Sequence, residues 1–109
     1  MPTEIGLLSN NLQILHLSEN DLAGSIPEQI GLLQELEELY LHGNPYIIGT
    51  IPGNALGSML NLRELTLDGT SVMGTLPDEL CTLSLLAVNC AVDTNSNGSG
   101  VCGCECGCT

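Results

Sequence analysis

An interval of 25 residues recurs along the chain and restricts its possible folds more than any other feature. Four of the five prolines keep this interval, each after an apolar residue, and they are Pro2, Pro27, Pro52 and Pro77. Gly24, Gly49 and Gly74 recur at the same spacing. Self-similarity at a fixed period of this length indicates a solenoid, in which each copy forms one coil and packs against its neighbours.

Leucines mark one strand in each coil. The pattern Leu-x-x-Leu-x-Leu occupies residues 12–17, 36–41 and 62–67. In a strand, the last two leucines of this pattern point to one face and the residue between them points to the other. We therefore expect short parallel strands, one per coil. Asn20 and Asn44 follow two of them, where side-chain amides can bond backbone groups of adjacent coils, and Thr70 takes that place in the next coil.

The written-out unit is LxxLxLxxNxLxGxIPxxIGxLxx, which residues 12–35 match nearly in full, with insertions near Pro45 and Asn54 in the next copy. This unit resembles the plant-type leucine-rich repeat, as found in ectodomains of receptor-like kinases and in secreted proteins of this type. The resemblance implies an α/β solenoid. A short parallel β-sheet would line its concave face, with short 3-10 turns and extended Ile-Pro segments on the convex face.

The resemblance covers residues 1–88 and implies two regions. The repeats would comprise a partial coil at 1–11, good coils starting at 12, 36 and 62, and a degraded coil from 85 whose register the sequence leaves open. Residues 89–109 would form a cysteine-rich C-terminal cap. We expect the chain to be a fragment of a longer protein.

Outward residues of neighbouring strands should stack in columns about 4.8 Å apart. Tyr40 is the only aromatic ring other than histidine in these columns, and tyrosine is enriched where interfaces concentrate their binding energy. Tyr46, in the insertion, is expected to shield the coil edge instead. The predicted partner-binding residues are His16, Ser18, Glu38, Tyr40, His42, Glu64, Thr66 and Asp68.

Two other chemistries are conceivable on this face. Ser18, His42 and Asp68 form the residue set of a serine hydrolase, but they should project side by side from an open sheet that offers no oxyanion site. Glu38 and Glu64 could attract calcium, which prefers several oxygen ligands. A solvated face with a Glu37–Arg63 pair is the simpler interpretation. We therefore predict no enzyme, no cofactor and no metal site on this face.

The C-terminal region concentrates sulfur. Its six cysteines are Cys81, Cys90, Cys102, Cys104, Cys106 and Cys108. They could form disulfides or hold a soft metal, although gaps of a single residue differ from the spacing of zinc sites. A disulfide cap is favoured because solenoid ends need capping, and the family resemblance points the same way. Fifteen pairings are open, and a structural or metal-binding role of the tail is the alternative function.

Charge narrows the class of partner. Thirteen acidic residues against the single Arg63 give a net charge of -12, which disfavours nucleic acid and anionic membranes. No apolar run suits a transmembrane segment and no signal peptide is visible. We predict a module that recognises a protein or peptide, possibly a basic one, and that belongs to an extracellular or membrane-attached ectodomain in its parent protein.

Overall fold

The computed structural model describes residues 1–8, 11–75, 87–89 and 101–102, with the backbone alone for residue 75 and the last two segments. Within these ranges the chain winds into stacked coils, each with a strand on one side and a helical turn on the other. The helical elements are the 3-10 helices Thr3–Leu7 and Glu28–Leu32 and the α-helix α1, Gly53–Gly57. The strands are β1 Ile14–His16, β2 Ala23–Gly24, β3 Glu38–Tyr40, β4 Tyr46–Ile47, β5 Glu64–Thr66, β6 Gly74–Thr75, β7 Ala87–Asn89 and β8 Val101–Cys102.

The main sheet has the order β1-β3-β5-β7, and each neighbouring pair is parallel. Its register places Leu15 beside Leu39 and Leu39 beside Leu65. Both residues of the Leu-x-Leu pairs in the second and third coils are 0–1% exposed, so they point into the core. The predicted parallel sheet with inward leucines is confirmed. β7 pairs with β5 so that Val88 lies beside Leu65, a register that the sequence leaves open.

The core is aliphatic and lies between the main sheet and the helical turns. Ile26 and Ile51, the residues before two of the periodic prolines, are 4% and 7% exposed. Burying a side chain of this size stabilises the fold by about 1.5–3 kcal/mol. Among the described residues, the large side chains that are less than 2% exposed are Ile30, Leu33, Leu36, Leu39, Leu41, Ile47, Leu56, Met59, Leu62, Leu65 and Leu67.

Asn44 joins two coils through its buried side chain. Its Oδ1 accepts hydrogen bonds from the backbone amides of Asn20 (3.0 Å) and Leu22 (3.3 Å) in the preceding coil. Its Nδ2 donates to the carbonyl oxygens of Leu17 and Leu41, both at 2.9 Å. The side chain is 0% exposed, so it satisfies backbone groups that water reaches poorly. The predicted bridging role of this asparagine is confirmed.

The residue before the asparagine position turns the chain out of each strand with a positive φ. Glu19, Gly43 and Gly69 have φ values of 57°, 72° and 73°. Glycine adopts this left-handed conformation at no steric cost. A Cβ on Gly43 would also lie 3.0 Å from the Glu19 Cγ, and one on Gly69 would lie 3.1 Å from the Gly43 backbone nitrogen. The left-handed backbone and the close stacking of the coils therefore favour glycine at both positions.

One inserted residue changes the helical turn of the second coil. Leu36 follows Pro27 by nine positions, whereas Leu62 follows Pro52 by ten. In the first coil Ile30 donates its amide to the Pro27 oxygen, a 3-10 bond, whereas in the second coil Leu56 donates to the Pro52 oxygen, an α-helical bond. The predicted 3-10 turns are therefore present at Thr3–Leu7 and Glu28–Leu32, and α1 replaces one in the second coil.

Two short parallel pairs flank the main sheet and were not predicted. β2 pairs with β4, and β6 pairs with β8, so that Gly74 lies beside Val101. Tyr46 in β4 is 61% exposed, and the expectation that its ring shields the coil edge stays a prediction. The extra residue in this loop, next to Pro45, places the ring in solvent and puts Ile47 in the core.

The predicted cysteine cap falls almost entirely outside the described residues. Of the six cysteines, Cys102 alone is among the described residues, through its backbone in β8. The oxidation state of Cys81, Cys90, Cys104, Cys106 and Cys108, their pairing, and the boundaries assigned to the coils and the cap all stay predictions.

Candidate partner-binding face

The outward side chains of the main sheet form the concave face, which we define by the eight predicted partner-binding residues at positions 16, 18, 38, 40, 42, 64, 66 and 68. The register aligns Ile14 with Glu38 and Glu38 with Glu64. The next aligned set is His16, Tyr40 and Thr66. The strands therefore place these side chains in the columns that the repeat predicts.

Tyr40 is held between two carboxylates. Its Oη lies within hydrogen-bonding distance of the Glu38 Oε1 and of the Glu64 Oε2. Because a phenol carries a single hydrogen, it donates fully to only one carboxylate at a time, and the other accepts no hydrogen bond from it. The bond to Glu38 and then the bond to Glu64 raise the pKa of Tyr40, since a phenolate there would face two anions. The phenol therefore remains a neutral donor at physiological pH.

Three rings gather around this tyrosine. The His16 and Tyr40 centroids are 4.9 Å apart, and the His42 ring lies 6.3 Å from each of them. Tyr40 and His42 meet edge to face, with an interplanar angle of 82°. Aromatic pairs prefer tilted contacts at these distances. The side chains of His16, Tyr40 and His42 form an aromatic ridge. The column pattern in the sequence gives them as separate positions and does not predict that their rings lie together.

Thr66 is only 8% exposed, although its position in an outward column predicts a side chain that faces solvent. Its Oγ1 accepts a hydrogen bond from the Leu41 amide at 3.2 Å and lies 2.8 Å from the His42 Nδ1. β7 runs along its other side, with the Asn89 backbone beside it. Thr66 therefore orients His42 and offers little surface to a partner.

The set Ser18, His42 and Asp68 is not joined by hydrogen bonds among the described residues. The His42 Nδ1 is directed to Thr66. The Ser18 carbonyl accepts a bond from the Asn20 side chain. The arrangement thus lacks the serine-to-histidine and histidine-to-carboxylate contacts that a nucleophilic triad needs.

Charge on the concave face is acidic. Arg63, the single lysine or arginine of the sequence, pairs with Glu37 at 3.3 Å, and their side chains are 58% and 32% exposed. This confirms the expected cross-strand pair, which stabilises by at most about 1 kcal/mol at such exposure. Glu38, Glu64 and Asp68 have no basic lysine or arginine partner among the described residues. The face therefore presents negative charge around the aromatic ridge.

No group of three or more His, Cys, Asp or Glu side chains among the described residues is arranged to hold a metal ion. Within those residues, no helix has the length and apolar character needed to span a bilayer.

Comparisons with known proteins agree with the repeat pattern. The Leucine Rich Repeat family matches residues 11–33 and 61–83. No curated protein is significantly similar to the chain. RGFR1, a plant peptide hormone receptor solved in complex with RGF2, is 37% identical with a TM-score of 0.74, and the match covers 82% of this chain and 14% of that one.

Two further structures are similar. A chain of the BIR3–SERK2 complex from Arabidopsis thaliana is 33% identical with a TM-score of 0.70, over 96% of this chain and 51% of that one. The second is the leucine-rich-repeat ectodomain of the membrane receptor kinase GASSHO1/SCHENGEN3, also from Arabidopsis thaliana. It is 24% identical with a TM-score of 0.50, and the match covers 84% of this chain and 16% of that one. At this identity the similarity supports the fold alone. The chain thus spans about half or less of each of these proteins. The predicted resemblance and fold class are confirmed.

Proposed function

The chain is a leucine-rich-repeat protein, and we propose that it binds a peptide or protein on its concave face without transforming it chemically. The observation that carries the proposal is the aromatic ridge of His16, Tyr40 and His42, which the Glu38 and Glu64 carboxylates flank through the Tyr40 phenol. Tyrosine is enriched among the few residues that carry most of the binding energy of an interface.

Rigidity of the face supports this role. The backbone of the strands is fixed by interstrand bonds, such as the one from the Leu17 amide to the Tyr40 oxygen at 2.9 Å. The Tyr40 side chain is fixed by its bonds to Glu38 and Glu64. A partner that binds here orders few additional side chains, which reduces the entropic cost of association.

The charge of the face suggests a basic partner. The phenol satisfies only one of the two carboxylates at a time, so lysine or arginine side chains of a ligand would satisfy the other and increase the encounter rate. A carboxylate that accepts bonds from a charged donor also forms a stronger hydrogen bond than it does with a neutral phenol.

The similar structures support a peptide or another repeat protein as the ligand. RGFR1 is a plant peptide hormone receptor held with RGF2, and BIR3 is held with SERK2. By analogy we propose an extracellular ligand and an extracellular location for this chain. These two chains are longer than this one, so their complete activities do not transfer to it.

The test uses a basic peptide selected for binding from a random library, titrated by calorimetry into the wild-type chain and its variants. Tyr40→Ala should weaken binding by at least about 1 kcal/mol, or roughly fivefold, because it removes the central ring. Tyr40→Phe keeps the ring and removes only the donor, so it separates ring packing from hydrogen bonding. Glu28→Ala, on the convex side, is the matched control and should bind like wild type.

The result that overturns the proposal is equally specific. If the Tyr40 variants bind like wild type and Glu28→Ala abolishes binding, the ligand uses the convex surface. The association constant should fall as the salt concentration is raised, because salt screens exposed charges. An association constant that does not fall would contradict the basic character of the partner.

A further inference from the structure

Thr66 is the one buried member of the concave face, and its hydroxyl contacts His42. In the described part of the chain the Thr66 Oγ1 has two hydrogen-bonding neighbours, the Leu41 amide at 3.2 Å and the His42 Nδ1 at 2.8 Å. An amide nitrogen can only donate, so Oγ1 is the acceptor in the first contact. The open question is which of the two atoms, Oγ1 or Nδ1, carries the hydrogen in the second contact.

Counting donors and acceptors assigns that hydrogen. If Nδ1 donated to Oγ1, the Thr66 hydroxyl hydrogen would have no acceptor among the described residues, at a position that is only 8% exposed. A buried donor left without a partner costs free energy. If the hydroxyl donates to a bare Nδ1 instead, both contacts are satisfied at once. A neutral imidazole whose Nδ1 accepts a hydrogen bond carries its own hydrogen on Nε2.

The other ring nitrogen of His42 is free to meet a ligand. Among the described residues, no group forms a hydrogen bond with the His42 Nε2. The ring belongs to the aromatic ridge, and its centroid lies 6.3 Å from that of Tyr40. The Nε2 hydrogen is therefore a donor on a face whose charge comes from carboxylates, namely those of Glu38, Glu64 and Asp68.

We infer that Thr66 is a positioning residue that fixes His42 in its Nε2–H form, and that this hydrogen binds a neutral carbonyl oxygen of the ligand. A carboxylate of the ligand would be repelled by the acidic face, so an amide carbonyl is the acceptor that fits. One lysine residue can supply both ligand groups, because its four-carbon stem separates the ammonium, which binds Glu38 or Glu64, from its backbone carbonyl. The inference rests on the proposed function and deepens it by naming a second ligand group beside the cation.

The form of the His42 ring is measured in the chain alone, without any ligand. Nitrogen-15 NMR at pH 8 distinguishes a ring nitrogen that carries a hydrogen from one that does not. We expect a single form of His42, with a bare Nδ1 and the hydrogen on Nε2. His16, the other histidine of the sequence, forms no hydrogen bond with any described residue and is the internal control. Its nitrogens should show the average of two exchanging forms.

Two substitutions at Thr66 separate positioning from support of the fold. Thr66→Val removes the hydroxyl and keeps the branched shape, while the Leu41 amide keeps its bond to the backbone oxygen of residue 66 at 3.0 Å, so the fold should persist. The nitrogen shifts of His42 should then move toward the averaged values of His16. Thr66→Ser keeps the hydroxyl and should retain the single form.

The contact with the ligand is tested by calorimetry with the library-selected basic peptide. His42→Phe keeps a ring and removes the Nε2 hydrogen, so it should weaken binding about fivefold, the effect of one hydrogen bond. Thr66→Val should weaken binding by about twofold to fivefold, because the His42 hydrogen is then shared between the two nitrogens. Thr66→Ser should bind like wild type.

Three results would overturn the inference. They are a hydrogen on the His42 Nδ1, His42 nitrogen shifts that do not change in Thr66→Val, and wild-type affinity of His42→Phe for the peptide. This inference and the proposed function fail in distinguishable ways. A chain that binds no peptide overturns the proposed function together with the ligand contact, whereas the spectra of the free chain still decide whether Thr66 sets the form of His42.

Discussion

Replacing Asn44 should cause the largest loss of stability among single polar substitutions in the described part of the chain. Asn44→Ala leaves two backbone amides and two backbone carbonyls, now bonded at 2.9–3.3 Å, without their partner. Each such bond contributes about 1 kcal/mol net, and a buried group left unsatisfied costs more. Water can reach some of these groups, because the bonds to the preceding coil are only partly buried. We therefore expect a loss of about 3–4 kcal/mol.

Urea unfolding followed by far-UV circular dichroism measures this loss, since the chain has no tryptophan to report by fluorescence. Thr70→Val is the matched control, because Thr70 occupies the equivalent position and makes a single side-chain bond to the Leu67 oxygen at 2.6 Å. Its cost should be about 1 kcal/mol. An Asn44→Ala variant within about 1 kcal/mol of wild type, or no less stable than Thr70→Val, would refute the reasoning from bridging bonds.

Three further outcomes are expected. Gly43→Ala should destabilise the fold by about 1–2 kcal/mol or more, because its φ of 72° is left-handed and its Cβ would contact the preceding coil. Gly53→Ala is the control in the same urea assay and should be nearly neutral, because no atom lies within 4 Å of the added carbon. Absorbance titration should show Tyr40 ionising above its ordinary range, and replacing Glu38 and Glu64 with glutamine should lower that midpoint. Because the folded pKa is raised, the stability held by the neutral phenol is fully present below pH about 10 and is lost as the pH rises through the folded value. Finally, the mass of the denatured, unreduced chain should be six hydrogens lower than that of the reduced chain if all six cysteines form disulfides, whereas free thiols with bound zinc or copper would support a metal-binding tail.

Most of the scaffold could be predicted because the repeat determines it. The Leu-x-Leu spacing fixes the inward leucines and the outward columns, and the column rule also predicts the Glu37–Arg63 pair. The α-helical turn at Gly53–Gly57 follows from one extra residue after Pro52, a count that the sequence contains. The short pairs β2–β4 and β6–β8 carry too few residues to show an alternating pattern, so sequence periodicity cannot reveal them.

The chemistry of the concave face was less predictable. The columns place Tyr40 beside His16 and Thr66, but they do not specify the rotamer of each side chain. Diagonal contacts, such as the ring contact of Tyr40 with His42, depend on rotamers that are chosen by packing. The same holds for Thr66, whose burial depends on the neighbouring strand and on His42.

The measurement that tests the central claim most directly is a footprint of a bound ligand on the two faces of the solenoid. The library-selected basic peptide is bound to the isotopically labelled chain, and backbone and side-chain shifts are mapped by NMR. The account predicts that the largest changes cluster at His16, Tyr40 and His42 and at the Glu38 and Glu64 carboxylates, while the 3-10 helix Glu28–Leu32 is unaffected. Changes confined to the convex helical turns, with the aromatic ridge unperturbed at saturation, would contradict it.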